Sequence, residues 1–294
     1  MPVEPPSPEH EPPPQSRRLL WRSEGIEVID FRCRAQVGCA GEEEPNATHS
    51  IVFVRRGVFG ITDRGEIALA DPTQLLFFNL GQPYRFAHPL PGGDECTILT
   101  LEPETAQAMA ERLAPGRLER SETPFPVSHA VAPPEAARLH FELLHLLRSG
   151  ASPPLATEDA LAELVDTASA CAFDTVRAAR PAGVAARRRR EIVEQARLIL
   201  NERFESPPSL RELAAEVGCS PFHLSRVFRG HARLTLRDYL GRLRVRLAAG
   251  RLAEGAPDLT ALALDLGFTD HSHFTNAFRR QMGVPPSRLR RRNR

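Results

Sequence analysis

The sequence contains no lysine, one Trp and only five Cys among its 294 residues. No two cysteines have C-x-x-C spacing, so the sequence offers neither a zinc-ribbon nor a dithiol redox motif. No apolar run approaches the ~18 residues that a membrane-spanning helix needs, and no basic-then-apolar signal segment opens the chain. These absences favour a cytoplasmic protein with no membrane partner.

The five cysteines are expected to be free thiols in a reducing compartment. Small buried hydrophobic side chains are the simplest interpretation, and no metal or cofactor is expected. A thiol sensor or a metal site is the alternative. The cysteines that such a site would use are Cys33, Cys39 and Cys96.

Charge is distributed unevenly along the chain. Residues 187–294 carry 22 Arg against 11 acidic residues, whereas residues 1–186 carry 16 Arg against 26 acidic residues. A basic C-terminal third favours a polyanionic partner, and the acidic remainder repels one.

Composition and periodicity divide the chain into five segments and predict an α+β protein. The segments are a disordered Pro-rich tail at 1–18, a β-domain at 19–102, a helical covering or dimerisation segment at 103–178, a linker at 179–186 and an all-helical domain at 187–294. Strands are predicted at 26–38, 50–62, 66–70, 74–80, 83–88 and 95–101, with a hairpin turn near residues 63–65. Helices are predicted at 104–113, 134–148 and 157–178. Closely spaced strands without intervening helices indicate a β-sandwich or a small barrel.

The C-terminal segment contains the same helical motif twice, at 210–231 and at 258–281. Each copy has a short helix ending in Gly, a brief connection and a capped second helix with two apolar residues four positions apart. Those pairs are Leu224 with Phe228, and Phe274 with Phe278. The match indicates a duplicated helix-turn-helix.

In each copy, the second helix is expected to bury one side and to expose short polar residues near its N-terminus. Helix-turn-helix proteins place this part of the helix in the major groove of DNA. The residues predicted to read bases are Phe222, Ser225, Arg226, His271, Ser272, Thr275 and Asn276. The residues predicted to contact phosphates are Arg229, Arg242, Arg279 and Arg280.

A long helix at about 235–253 connects the two copies. About 18 residues span ~27 Å at 1.5 Å per residue, and successive major-groove faces lie ~34 Å apart. The sequence therefore predicts that one chain reads two adjacent segments of double-stranded DNA.

The stretch "SLRELAAEVGCSPFHLSRVFRGHARLTLRDYLGRLRVRLAAGRLAEG", together with "GFTDHSHFTNAFRRQMGVPPSRLR", resembles the DNA-binding domain of the AraC/XylS family of bacterial transcription regulators. The resemblance covers about 100 residues and assigns base-facing positions to the same seven residues. Two residues depart from the family pattern: Leu236 stands where a Pro is frequent, and Leu289 where an aromatic residue is frequent.

The resemblance also implies properties of the whole protein. These are promoter binding, contact with RNA polymerase, activation of transcription and a place in the bacterial nucleoid. Many members join an N-terminal cupin-like β-barrel to helices that pair two subunits, so a homodimer is expected. A small-molecule effector would bind inside the barrel, and the candidate pocket residues are His49, Arg55, Tyr84, Arg85 and His88.

Two other classes of function remain open at this point. An enzyme is disfavoured because the H-x-H and Glu of metal-dependent cupins are missing around His49, and because no phosphate loop, nucleophile elbow or H-E-x-x-H motif occurs. No catalytic residue is therefore assigned. An architectural protein that binds DNA without sequence preference would present a uniformly basic surface, unlike the polar strip between His271 and Asn276.

Overall fold

The structure is a computed structural model that describes residues 15–34, 37, 43–63, 66–116, 123–149, 153–178, 184–255 and 258–289. Within these ranges no helix is both long and apolar enough to cross a bilayer. Residues 1–14 of the expected tail, 179–183 of the expected linker, the turn residues 64–65 and Cys39 lie outside them. Residues 15–18 and 184–186, expected in the tail and the linker, instead begin a strand and a helix.

The strands in the described ranges are Gln15–Ser23 (β1), Ile26–Cys33 (β2), Glu44–Pro45 (β3), His49–Arg56 (β4), Phe59–Asp63 (β5), Glu66–Ala70 (β6), Gln74–Phe78 (β7), Pro83–Ala87 (β8), Asp94–Leu101 (β9) and His129–Val131 (β10). They form a six-stranded sheet in the order β1-β2-β9-β4-β7-β10 and a four-stranded sheet in the order β3-β8-β5-β6. The pairings in both sheets are antiparallel. No ladder joins the two sheets among the described residues, so the strands do not close into a barrel.

Both faces of the six-stranded sheet are buried, as β4 illustrates. Successive side chains of a strand point to opposite faces. Ile51 and Phe53 enter a core shared with helices, whereas Val52 and Val54 enter a core shared with the four-stranded sheet. A strand buried on both sides reads as a continuous apolar run, which explains why "IVFV" lacks alternation.

The described part of this N-terminal region also has three helices: Pro103–Leu113 (α1), which precedes β10, and Pro134–Ser149 (α2) and Pro154–Ala178 (α3), which follow it. Their apolar residues pack on the six-stranded sheet. The second helix has two buried faces, because Leu139 and Leu143 join the sheet core while Phe141 and Leu144 join a core of the C-terminal helices. The second helix therefore packs against both the N-terminal region and the C-terminal region.

The C-terminal region is all helical. Its helices are Val184–Glu202 (α4), Leu210–Glu216 (α5), Pro221–Ala232 (α6), Leu236–Ala253 (α7), Leu259–Asp265 (α8), His271–Met282 (α9) and Pro286–Leu289 (α10). The two residues that depart from the family pattern pack normally, since Leu289 is buried and Leu236 lies partly buried against the core around α6.

A buried polar cluster joins the two regions. Asp71, just after β6, lies with its Oδ2 2.6 Å from Nη2 of Arg197 and accepts a hydrogen bond from the Tyr239 hydroxyl at 2.7 Å. Asn201 donates to the Tyr239 hydroxyl at 2.7 Å. Burial alone would raise the pKa of Asp71, but Arg197 and the neighbouring hydroxyl donors hold that pKa below its ordinary value. We call Asp71, Arg197, Asn201 and Tyr239 the interdomain network.

Arg246 of α7 makes a second buried link to the N-terminal region. Its guanidinium donates to the carbonyls of Pro72 and Ala132, each at 2.7 Å. Burial lowers the pKa of Arg246 to about 10, so the side chain stays charged at neutral pH. Two carbonyl dipoles from separate segments therefore hold α7 against the sheet.

Stability should fall in mild acid because of His140 on α2. This side chain is buried, stacks on Phe53 and lies with Nε2 2.8 Å from the Thr97 hydroxyl. Burial lowers the pKa of His140 well below 6.5, so the folded protein keeps it neutral while the unfolded chain takes up a proton near pH 6.5. The stabilisation that results from keeping His140 neutral is complete above pH 6.5. Below pH 6.5 the free energy of unfolding falls by up to about 1.4 kcal/mol per pH unit.

Urea titrations between pH 5 and pH 7.5 measure this slope. His140→Gln keeps a hydrogen-bonding group near Thr97 but does not titrate, so we expect a shallower slope than in the wild type. Equal slopes in the two proteins would contradict the assignment.

Candidate nucleic-acid interface

An N-cap hydrogen bond and a proline fix the start of α6. The Ser220 hydroxyl accepts from the backbone N–H of His223, and Pro221 occupies the first helical position, where its missing N–H costs nothing. Leu224, Val227 and Phe228 are then buried against α4, α5 and α7. The capped end of α6 is thereby fixed on a packed face.

The opposite face of α6 is open to solvent. Phe222 exposes 77% of its surface, and Ser225 and Arg226 are also exposed. An aromatic ring this exposed does not close the core of the first helix-turn-helix. The three residues predicted to read bases in this copy therefore share one accessible surface near the helix N-terminus.

The second copy repeats the arrangement on α9. The Asp270 carboxylate accepts from the backbone N–H of His273, and Phe274, Ala277 and Phe278 are buried. Gly283 ends the helix in the left-handed region. Phe274 packs on Phe278 with ring centroids 5.6 Å apart, so the apolar pair seen in the sequence forms the buried side of the helix.

His271, Ser272 and Asn276 on α9 are exposed, whereas Thr275 is half-buried. The Thr275 hydroxyl is enclosed and makes no hydrogen bond within the described part of the chain. Three of the four predicted base readers in the second copy thus offer polar atoms to solvent. Thr275 offers chiefly its methyl group.

The predicted phosphate contacts differ in accessibility. Arg229, Arg279 and Arg280 are exposed and form no ion pair with another described residue. Arg242 is half-buried, and burial lowers its pKa. The first three are free to meet a polyanion, and Arg242 is less available.

A junction that the sequence does not reveal holds the second copy against α7 and against the loop after α4. Arg244 of α7 donates through Nε to the carbonyl of Phe204 at 2.8 Å, and its guanidinium lies against Gly267. A Cβ at Gly267 would come within 2.3 Å of the Glu205 carbonyl. The loop after α4, the connecting helix and the turn of the second copy therefore meet where only glycine fits.

The five candidate effector residues do not gather in one pocket. His49 is buried, and its Nδ1 accepts from the backbone N–H of Leu80 at 3.1 Å. Tyr84 packs among aromatic rings between the sheets, and Arg85 is exposed on the four-stranded sheet. These three positions are spread over two sheets.

The other two candidates, Arg55 and His88, are both buried. Arg55 forms a buried ion pair with Asp30 and lines a cavity of about 350 Å³ between β4 and α7. Its Nε and Nη1 make no hydrogen bond among the described residues. His88 lies with Nε2 2.9 Å from Oδ1 of Asp94.

Comparison with known proteins bears directly on the C-terminal region. A helix-turn-helix domain family matches residues 213–292. The regulatory protein SoxS of Escherichia coli is 33% identical over 93 residues, which cover 32% of this chain and 87% of SoxS. The chain belongs to the AraC/XylS family.

Two other relatives agree with this AraC/XylS assignment. The transcriptional activator RhaS of Escherichia fergusonii is 33% identical over 91 residues, and this chain spans a third of the length of RhaS. The multiple antibiotic resistance protein MarA of Escherichia coli is 29% identical over 94 residues, which are 74% of MarA. The shared part is thus the AraC-type helix-turn-helix DNA-binding region of a transcription regulator.

The solved structures include full-length matches. A crystal structure of ToxT from Vibrio cholerae bound to an unsaturated fatty acid covers 90% of this chain and 95% of ToxT, at 11% identity and a TM-score of 0.37.

Proposed function

We propose that the protein recognises promoter DNA in a sequence-specific way through the N-terminal turns of α6 and α9, and that it activates transcription there. The observation that carries this proposal is the pair of capped helices. Each has a fully buried apolar side, and each exposes short polar side chains or Arg near its N-terminus. That is the part of a recognition helix that enters the major groove.

The connecting helix supports reading of two adjacent segments. The 18 residues of α7 span about 27 Å, close to the ~34 Å between successive major-groove faces. The second copy meets this helix where Arg244 lies against Gly267, and the first copy packs on it through Phe228 and Tyr239. We infer that the chain reads two short elements on one side of the duplex.

Each exposed residue has a partner of matching chemistry. Arg226 can donate a bidentate pair to guanine O6 and N7, and Asn276 can pair bidentately with adenine. Phe222 suits a thymine methyl, and Ser225, His271 and Ser272 suit several bases. Arg229, Arg242, Arg279 and Arg280 would position the protein on phosphates without reading sequence.

Thr275 and Asn276 provide a matched pair of substitutions on α9. Because the Thr275 hydroxyl is enclosed and has no hydrogen-bond partner among the described residues, Thr275→Val should leave DNA affinity within about twofold, and Asn276→Ala should weaken binding to the preferred site by about 1–3 kcal/mol. Fluorescence anisotropy with a labelled site measures both. A larger loss for Thr275→Val than for Asn276→Ala would overturn this division.

Further parts of the proposal concern partners and the N-terminal region. By analogy with the AraC/XylS family, the protein would contact RNA polymerase, form a homodimer and act in the bacterial cytoplasm at the nucleoid. The N-terminal region, proposed as a cupin-like sensor, would take a small-molecule effector. Arg55 supports an anionic effector, since two of its buried nitrogens have no hydrogen-bond partner in the described part of the chain and the side chain lines the cavity facing α7.

Binding without sequence preference is the second candidate. Competition between promoter fragments and bulk DNA separates the two. Sequence-specific recognition predicts that at least one promoter fragment is retained at a bulk-DNA excess that removes the others. Equal displacement of every fragment would favour the architectural function.

A further inference from the structure

Two thiols, an imidazole and a carboxylate meet at one end of the space between the sheets. Cys33 is the last residue of β2 and pairs in register with Asp94, the first residue of β9. Directly paired residues of antiparallel strands point to the same face. His88, just after β8, lies with Nε2 2.9 Å from Oδ1 of Asp94.

The ligand atoms of Cys33, His88 and Asp94 all lie within 4.8 Å of one another. Cys96 lies two residues beyond Asp94 on the same face, and its thiol donates to Oδ2 of Asp94 at 3.3 Å. All four side chains are buried: the exposed fractions are 6% for Cys33, 8% for His88, 4% for Asp94 and 1% for Cys96. We call these four residues the β2–β9 cluster.

We propose that the β2–β9 cluster is a binding site for a divalent transition-metal ion of the Zn²⁺ class, with Cys33, His88 and Asp94 as ligands and Cys96 in reach as a fourth. Thiolate, imidazole and carboxylate are the three ligand types that Zn²⁺ takes in proteins. Bonds of about 2.0–2.3 Å to one tetrahedral ion set ligand atoms about 3–4 Å apart. The cluster is therefore close to that spacing before any ion binds.

Backbone geometry brings the ligands together. Gly93 has a φ of +67°, and a Cβ there would come within 1.9 Å of the Cys33 carbonyl oxygen. Only glycine allows the segment from His88 to Asp94 to lie this close to the end of β2. A purely structural hydrogen bond between His88 and Asp94 does not explain why two cysteines lie beside it.

The segment that carries the ligands also faces the C-terminal region. Leu90, Gly92 and Gly93 line the cavity between the sheets and α7, opposite Leu247 and Gly250. An ion held by His88 and Asp94 would fix the conformation of this wall. Metal binding would therefore restrain the cavity wall that faces α7, the helix that connects the two helix-turn-helix copies.

Cobalt(II) titration of the metal-free full-length protein tests the proposal. We expect one Co²⁺ per chain, with a sulfur-to-cobalt charge-transfer band in the near ultraviolet. Cys33→Ala and His88→Ala should each weaken binding at least tenfold, and Cys171→Ala and Cys219→Ala, which change cysteines outside the cluster, should not. Absence of stoichiometric binding, or binding unchanged in both Cys33→Ala and His88→Ala, would overturn the proposal.

X-ray absorption of the zinc-loaded wild type provides a test that does not depend on how the variants fold. The proposal predicts mixed coordination, with one or two sulfur ligands at about 2.3 Å and the remainder nitrogen or oxygen. Coordination by nitrogen and oxygen alone, or by four sulfurs, would overturn it.

Discussion

Asp71→Ala is expected to lower the free energy of unfolding by about 3–5 kcal/mol, because it removes the fully buried carboxylate of the Arg197 ion pairs and leaves only Glu194 opposite that guanidinium. Arg197 would lose the carboxylate 2.6 Å from its Nη2, and the Tyr239 hydroxyl would lose its acceptor at 2.7 Å. Both lie on helices of the C-terminal region, so the substitution acts across the boundary between the two regions.

Urea unfolding followed by circular dichroism measures this loss. Asp166→Ala is the matched control, since Asp166 pairs with Arg112 at the surface, where both side chains are about half exposed. An exposed pair contributes only about 0–1 kcal/mol. If Asp71→Ala cost no more than Asp166→Ala, the interdomain network would not stabilise the contact between the regions.

The second large effect concerns how two arginines act on DNA. Arg226→Ala should cost about 1–3 kcal/mol at the preferred site and relax the choice of base at one position. Arg279→Ala should weaken preferred and unrelated sequences alike and reduce the dependence of log K on log salt by about 0.9. Both side chains are exposed and lack an ion-pair partner among the described residues, so neither substitution should disturb the fold.

Anisotropy titrations over a series of single-base variants and salt concentrations separate the two roles. Arg226→Lys keeps the charge but loses the planar fork, so it should retain most of the salt dependence and still relax the base preference. Identical behaviour of Arg226→Ala and Arg279→Ala would contradict the division between base reading and positioning.

Sequence reasoning succeeded where the controlling interactions are local. The capped second helix predicted in each copy is such a case, since Ser220 and Asp270 each accept from a backbone N–H three residues on, and the structure has both caps. The hairpin of β5 and β6 was predictable for the same reason. The predicted single strand at 50–62 is wrong, because it divides into β4 and β5 around Gly57.

The contacts between the regions could not be predicted from the sequence. Asp71 and Tyr239 are 168 positions apart, and no local pattern distinguishes Arg197 or Arg246 from the other arginines. The charge count treats Arg197 and Arg246 as part of a basic surface that attracts DNA. Both side chains are instead buried against the N-terminal region. The net positive charge on the surface of the C-terminal region is therefore smaller than its composition alone indicates.

The first strand and the last were also missed. β1 reads "QSRRLLWRS", with charged residues at exposed positions of an edge strand, so it lacks clear alternation. β10 is three residues long and pairs only with β7 among the described strands. Of the β2–β9 cluster, Cys33 and Cys96 were candidates from the sequence, but the register that pairs Cys33 with Asp94 and the approach of His88 are not visible in any short motif.

Selection of bound fragments from a random DNA library, with the full-length protein, tests the central claim most directly. Two recognition helices held by α7 predict two short preferred elements with centres about 10 base pairs apart, and a five-base-pair insertion between them should reduce affinity to that of a single element. A library that shows no enriched sequence, or a single element whose affinity is unaffected by the insertion, would contradict the account.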